Sequence, residues 1–140
     1  MISKLILASV LILFSIINMQ SKEPNVQIKL KYFHATLRCH GCIVIEDNIN
    51  NSLNSIYENE LKDSTIVFNS LDFLEDENQH FQDDYKFDSQ TLILSKFVNG
   101  KEVKWKNLDK IWDYSGDYEK FLKYIVNSYF ILPPFLLYFA

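Results

Sequence analysis

The hydrophobic period changes at a pair of cysteines, and that change constrains the fold of this chain more than any other feature. Before the pair, Val26, Ile28, Leu30 and Tyr32 alternate with Gln27, Lys29 and Lys31. That is the period-two pattern of a half-buried strand over residues 26–33. After it, Ile45, Ile49, Leu53, Ile56 and Leu61 recur at helical spacing, with Glu46, Asp47, Asn50, Asn51 and Asn54 on other faces. A helix is therefore expected over 42–61. Residues 34–38 connect the two, so Cys39 falls beyond the carboxyl end of a strand and at the amino end of a helix. Open sheets gather ligand and redox sites at that edge.

The remaining pattern fixes the layout. Lys62-Asp63-Ser64 breaks the helix, and 65–71, with Ile66, Val67 and Phe68, reads as a second strand. The acidic run over 72–84 is most simply a solvated loop and helix with Phe81 and Tyr85 facing inward. Thr91-Leu92-Ile93-Leu94 opens a third strand. Asn99-Gly100 is the strongest hairpin signal in the chain, because a type I′ turn needs positive φ at both central residues. The return strand covers 101–106 with Val103 and Trp105 on one face, and 108–129 is helical with an interruption near Ser115-Gly116. The order is strand, helix, strand, helix, hairpin, helix (βαβαββα). With a right-handed parallel crossover, it predicts an α/β fold: a four-stranded mixed sheet with helices on both faces.

The ends read differently. Residues 1–21 carry a short positive start at Lys4 and an apolar run from Leu5 to Ile17 broken only by Ser9 and Ser15. This suits a signal-peptide core better than a membrane span, which needs about 20 apolar residues. No small-x-small cleavage pair follows, so an uncleaved N-terminal membrane anchor stands beside the cleaved signal. Either reading exports the domain, expected over 22–130, to the periplasm or another extracytoplasmic space. The tail over 131–140 is apolar; Pro133-Pro134 forbids a continuous helix there. It is expected to pack on the domain as strand or coil, or else to be a membrane-touching segment or the front of a truncated one.

Composition excludes several functions. A net charge of −4 opposes a nucleic-acid partner held by phosphate neutralisation. The three glycines, Gly41, Gly100 and Gly116, never cluster, so no phosphate-cradling loop forms. No flavin or nicotinamide site is legible, and no cofactor is expected.

The chemistry concentrates in Cys39-His40-Gly41-Cys42, which holds both cysteines of the chain. A disulfide across so short a loop adds only about 2 kcal/mol in the chain-entropy model, which makes it a poor staple. Residues i and i+3 in a first helical turn lie about 5–6 Å apart, which suits a reversible disulfide. Free N–H groups and the positive dipole end favour a thiolate at Cys39. Arg38, His40 and His34 add positive potential, and no acidic residue intervenes before Glu46. Cys39 is expected to attack and Cys42 to resolve. Three bland or rival readings stand beside this one. The pair could be inert and structural. Cys39, Cys42, His34 and His40 could instead bind Zn²⁺, Cu(I) or a thiophilic metalloid without turnover, although a structural zinc site wants a second ligand pair from elsewhere. His34 alone could be a hydrogen-bonded strand-end histidine.

The C-x-x-C opening a helix after a strand, with a second strand, hairpin and terminal helix following, resembles the thioredoxin fold. More narrowly, Tyr32-Phe33-His34-Ala35-Thr36-Leu37-Arg38-Cys39 with Cys42 is similar to the start of a thioredoxin-like family linked to arsenic operons. That family is often labelled a nitrophenyl compound nitroreductase subunit. Asn99-Gly100-Lys101-Glu102-Val103-Lys104-Trp105, followed by Leu108 and Ile111-Trp112, resembles its hairpin and last helix. The resemblance implies a thiol–disulfide oxidoreductase or electron-transfer subunit acting on a protein thiol or disulfide partner, including a redox partner at the membrane. Any flavin chemistry would then sit on that partner. It also implies two departures from ordinary thioredoxins: the cis-proline facing the cysteines falls at Thr91, and the buried carboxylate relay falls at Phe33. The Thr91 hydroxyl and His34 are the expected substitutes, with a trans Gln90–Thr91 bond placing an N–H and a hydroxyl beside the sulfurs.

Overall fold

The structure, a computed structural model, describes residues 23–130. The signal or anchor read over 1–21 and the apolar tail over 131–140 lie outside the described residues. Strand β1 (Val26–His34) leads to helix α1 (His40–Ile56), a short helix α2 (Glu58–Lys62) and strand β2 (Ile66–Asp72). Helix α3 (His80–Tyr85), strands β3 (Thr91–Val98) and β4 (Lys101–Asn107), a 3-10 turn (Asp109–Ile111) and helix α4 (Tyr118–Phe130) complete the order. One four-stranded sheet runs β2-β1-β3-β4. β1 is parallel to β2, with Ile28 opposite Ile66, and antiparallel to β3, with Phe33 opposite Thr91. The mixed sheet follows the order read from the sequence.

Strand β1 is central, so both its faces are covered. Ile28, Leu30 and Tyr32 join Leu92 and Leu94 of β3 beneath Ile45, Ile49 and Leu53 of α1 and Phe121 and Ile125 of α4. The opposite face carries a second cluster of Phe33, Phe73, Tyr85, Phe87 and Ile93, with Phe81 packed against it. Helices therefore lie on both faces, and the lysine-bearing side of β1 is less wet than its alternation predicts. Lys31 Nζ lies 4.7 Å from the centre of the Phe81 ring and donates to the Tyr85 hydroxyl at 2.6 Å. Its methylene stem lets a lysine cover apolar surface while its head keeps polar partners.

Three local expectations change. The helix after the cysteines stops at Ile56, and Tyr57 separates it from α2. Tyr57 is buried with its ring tilted against Tyr129 at 4.7 Å, while Ile56 is half exposed; burying the larger ring takes precedence over continuing the helical stripe. The return strand contains a register shift opposite Lys96 and Phe97, which leaves Val103 without a partner between Glu102 and Lys104. Glu102, not Val103, then shares the Tyr85 side with Trp105: Tyr85 donates to Glu102 at 3.0 Å, and its ring meets Trp105 edge-on. An extra residue in one strand reverses the alternation beyond it. The hairpin itself is as expected, with φ of 51° at Asn99 and 79° at Gly100.

Candidate functional site

The carboxyl end of β1 and the amino end of α1 bring the cysteines to the end of a central strand of the sheet. Cys39 is the N-cap residue of α1, in extended conformation, and its sulfur accepts a hydrogen bond from the Cys42 N–H at 3.2 Å. Its carbonyl takes the first helical bond, from the Ile43 N–H at 3.2 Å. Cys39 and Cys42 are joined as a disulfide with Cα atoms 5.2 Å apart. The two sulfurs are not equivalent, for Cys39 is exposed and Cys42 is 1 % exposed. The first turn of α1 carries no acidic residue, so the positive end of the helix dipole is uncompensated there.

Three apolar side chains at or near the cysteine turn are exposed. Leu37 is 90 % exposed, and Ile43 and Trp112 are also open to solvent. Trp112 arrives from beyond the 3-10 turn. Its indole N–H donates to the Gln90 carbonyl at 2.9 Å. Its other edge reaches the motif: a methyl group placed on Gly41 would lie 3.4 Å from Trp112 Cζ3 and 3.8 Å from Cys39 Sγ. The indole therefore spans the gap between the segment entering β3 and the cysteine turn.

Behind the pair lies Tyr32, whose hydroxyl donates to the Cys42 carbonyl at 3.1 Å. Burial pushes its phenol up to about 12, so it stays protonated across the physiological range. Arg38 reaches the same carbonyl at 3.4 Å and forms an ion pair with Glu46.

The residues expected at the site are placed as follows. Cys39 and Cys42 meet. His40 is exposed in the first turn of α1. Arg38 is present but is not the free cation the sequence suggests, because Glu46 sits one helical turn beyond Cys42 and folds back to it. His34 is a strand-end residue: its Nδ1 lies 3.0 Å from the Ala35 carbonyl and its backbone faces Asp72 of β2. Thr91 is buried at the head of β3, and Gln90–Thr91 is trans, since no cis peptide bond occurs among the described residues. Its hydroxyl donates to Asn107 Oδ1, on the Phe33 side of the sheet, so it is engaged there and not with a sulfur. Phe33, the position matching the carboxylate relay, is stacked on Phe87 within the α3-side cluster. The polar group behind Cys42 is Tyr32 instead. Among the described residues, no group of three or more His, Cys, Asp or Glu is arranged to hold a metal ion; His34, His40 and the cysteines do not form such a set.

Trp112, Tyr32 and Glu46 are the participants that sequence reasoning missed. Tyr32 was legible only as one more inward residue of β1. Glu46 looked like part of the wet face of α1. Trp112 lies far along the chain from both segments it joins.

Neither a family model nor a curated protein matches the chain. Solved structures similar to it include thioredoxin O2 from Arabidopsis thaliana in the oxidized state, at 17 % identity and TM-score 0.43, covering 67 % of this chain and 74 % of that one. Thioredoxin from Trypanosoma brucei brucei is similar at 19 % identity and TM-score 0.40, covering 81 % and 84 %. Fasciola hepatica thioredoxin is similar at 16 % and 0.39, covering 70 % and 81 %. Overlaps of this size leave the fold to be read from strand order and pairing.

Proposed function

We propose that this chain is a thiol–disulfide oxidoreductase working through Cys39 and Cys42. The observation that carries the reading is the asymmetry of the pair: one exposed sulfur at an uncompensated helix start, one buried a turn inward. In the reducing direction the Cys39 thiolate attacks one sulfur of a partner disulfide. That S–S bond breaks, and the partner's second sulfur leaves as a thiolate and takes a proton from solvent. Cys42 then gives up its proton and attacks the Cys39 sulfur. The Cys39–Cys42 bond forms, and the partner's first sulfur leaves as a thiolate. Two electrons pass to the partner; the reverse sequence oxidises a partner dithiol.

The apolar rim of Leu37, Ile43 and Trp112 supports a polypeptide partner, because it offers area beyond the sulfur itself. The resemblance of 32–42 to the family linked to arsenic operons supports a role as an electron-passing subunit beside a flavin-bearing partner. The apolar run at 5–17 supports export, with membrane contact through that segment or the 131–140 tail. Among the described residues no helix is long and apolar enough to cross a membrane.

The test is a thiol-trapping titration against glutathione buffers, paired with turbidimetric reduction of insulin by dithiothreitol. A reversible two-electron couple and accelerated insulin reduction, both lost in Cys39→Ser, are expected. A pair that never titrates between the buffer extremes overturns the reading. Export is tested by fractionating cells and sequencing the mature N-terminus.

A further inference from the structure

We infer that Glu46 and Arg38 form a charge pair that sets the acidity of the Cys39 thiol, with Glu46 holding it above the value the cysteine turn would otherwise give. The inference rests on the oxidoreductase reading for its importance, but its geometry is independent of it. Arg38 precedes Cys39 directly, and its guanidinium lies against the Cys42 carbonyl. It is the one guanidinium of the chain, so its charge persists at every accessible pH. Glu46 neutralises it through the ion pair. The two side chains are 28 % and 20 % exposed, so salt screens neither fully. The first turn of α1 carries no carboxylate, so Glu46, one turn further on, is the acidic group nearest along the helix to the cysteine turn. Glu46 is thus the negative charge that opposes Arg38. Of the other titratable groups at this end of the strand, Tyr32 stays neutral, and His40 lies on the exposed outer side of the turn.

An opposite charge within a few ångströms stabilises an ionised group, and a like charge destabilises it. Removing the carboxylate in Glu46→Gln releases the guanidinium charge toward the thiolate. Removing the cation in Arg38→Gln leaves the Glu46 carboxylate uncompensated, and its field then opposes the thiolate. The two substitutions therefore act with opposite sign, and the double variant returns close to the starting value. A merely structural role for the pair would loosen the turn in both single variants and move the thiol in the same direction.

The experiment is the pH dependence of Cys39 alkylation by iodoacetamide in reduced protein carrying Cys42→Ser, with circular dichroism on each variant. Glu46→Gln is expected to lower the Cys39 pKa by about one unit and Arg38→Gln to raise it by about one. The double variant is expected to fall between them, and Glu46→Asp to restore the original value. No change, or a shift of one sign in both single variants, overturns the inference. Should Glu46→Gln fail to fold, Arg38→Gln against Arg38→Lys decides it: the lysine retains the charge and keeps the pKa within about half a unit of the parent. Insulin reduction by the parent protein is scored separately. Shifts of opposite sign without insulin reduction would keep the charge pair and remove the proposed function.

Discussion

The indole N–H of Trp112 donates to the carbonyl of Gln90 at 2.9 Å, tying the turn after β4 to the segment that enters β3. Because the same ring lies against Gly41, inside the cysteine turn, Trp112 is placed to report on the disulfide.

Reduction of Cys39–Cys42 is expected to raise tryptophan emission, since a nearby disulfide quenches an indole. Trp112→Phe should abolish the change. Trp105→Phe should preserve it, because Trp105 sits against Tyr85 on the other face of the sheet. Trp112→Phe should also cost about 1 kcal/mol in urea unfolding, the usual value of one lost hydrogen bond. A redox-dependent emission change surviving in Trp112→Phe would remove the indole from the site.

The exposure difference between the cysteines fixes which one traps a partner. Cys42→Ser is expected to accumulate mixed disulfides through Cys39, resolved on non-reducing gels. Cys39→Ser should accumulate at least tenfold less, because its remaining sulfur is 1 % exposed and reached only by opening the turn, a penalty of about 1.4 kcal/mol or more per factor of ten. Equal trapping by both variants would contradict the burial.

Thr91 separates stability from redox tuning. Its hydroxyl is committed to Asn107, so Thr91→Val should destabilise the fold by about 1 kcal/mol and leave the Cys39–Cys42 potential within error of the parent. Thr91→Pro constrains the backbone next to Gln90, the carbonyl that holds Trp112. It is expected to alter the potential or slow partner release. A potential that moves in Thr91→Val would place the hydroxyl nearer the sulfurs than its bond to Asn107 allows.

Alkaline pH should unfold the protein cooperatively. Burial pushes Tyr32, Tyr57 and Tyr85 from the ordinary 10.0 to about 12, and raises Tyr124 and Tyr129 in the same sense. A raised acid pKa means that the folded chain holds protons the unfolded chain releases. The associated stability is complete below pH 10 and is lost as pH climbs toward 12. Lys31 acts oppositely: burial lowers it below 10.5, so its share grows as pH approaches that value. With several tyrosines against one lysine, the urea midpoint should fall steadily above pH 10. A midpoint unchanged between pH 9 and 11.5 would show that these phenols ionise without unfolding.

Most of the architecture could be read from the sequence because it depends on local signals. The alternation of 26–33, the helical spacing of Ile45, Ile49 and Leu53, and Asn99-Gly100 each act through neighbours in the chain; the strand and the hairpin formed where read, and the helix formed but ended at Ile56, short of the expected 61. The cysteine turn was equally legible, since a C-x-x-C at a change of period has one geometry. What stayed hidden depends on contacts between distant segments. Nothing periodic links Trp112 to Gln90 or Tyr85 to Glu102. Thr91 opens β3, as its strand pattern predicts, but the face its hydroxyl takes is set by pairing with Phe33, which no spacing reveals. Glu46 was assigned to the wet face because a helical wheel cannot show a side chain folding back to Arg38.

The bulge in β4 bears on how the protein behaves when concentrated. Among the described residues β4 is an edge strand with one side of its backbone unpaired, the kind of border on which another chain can add a strand and begin a fibril. Here that border carries Lys101, Lys104 and Lys106, and it is bent where Val103 has no partner. An incoming copy would meet matched positive charge and an interrupted ladder. The open edge is thereby guarded against self-propagation, and the oxidised and reduced forms alike should remain dispersed at high concentration.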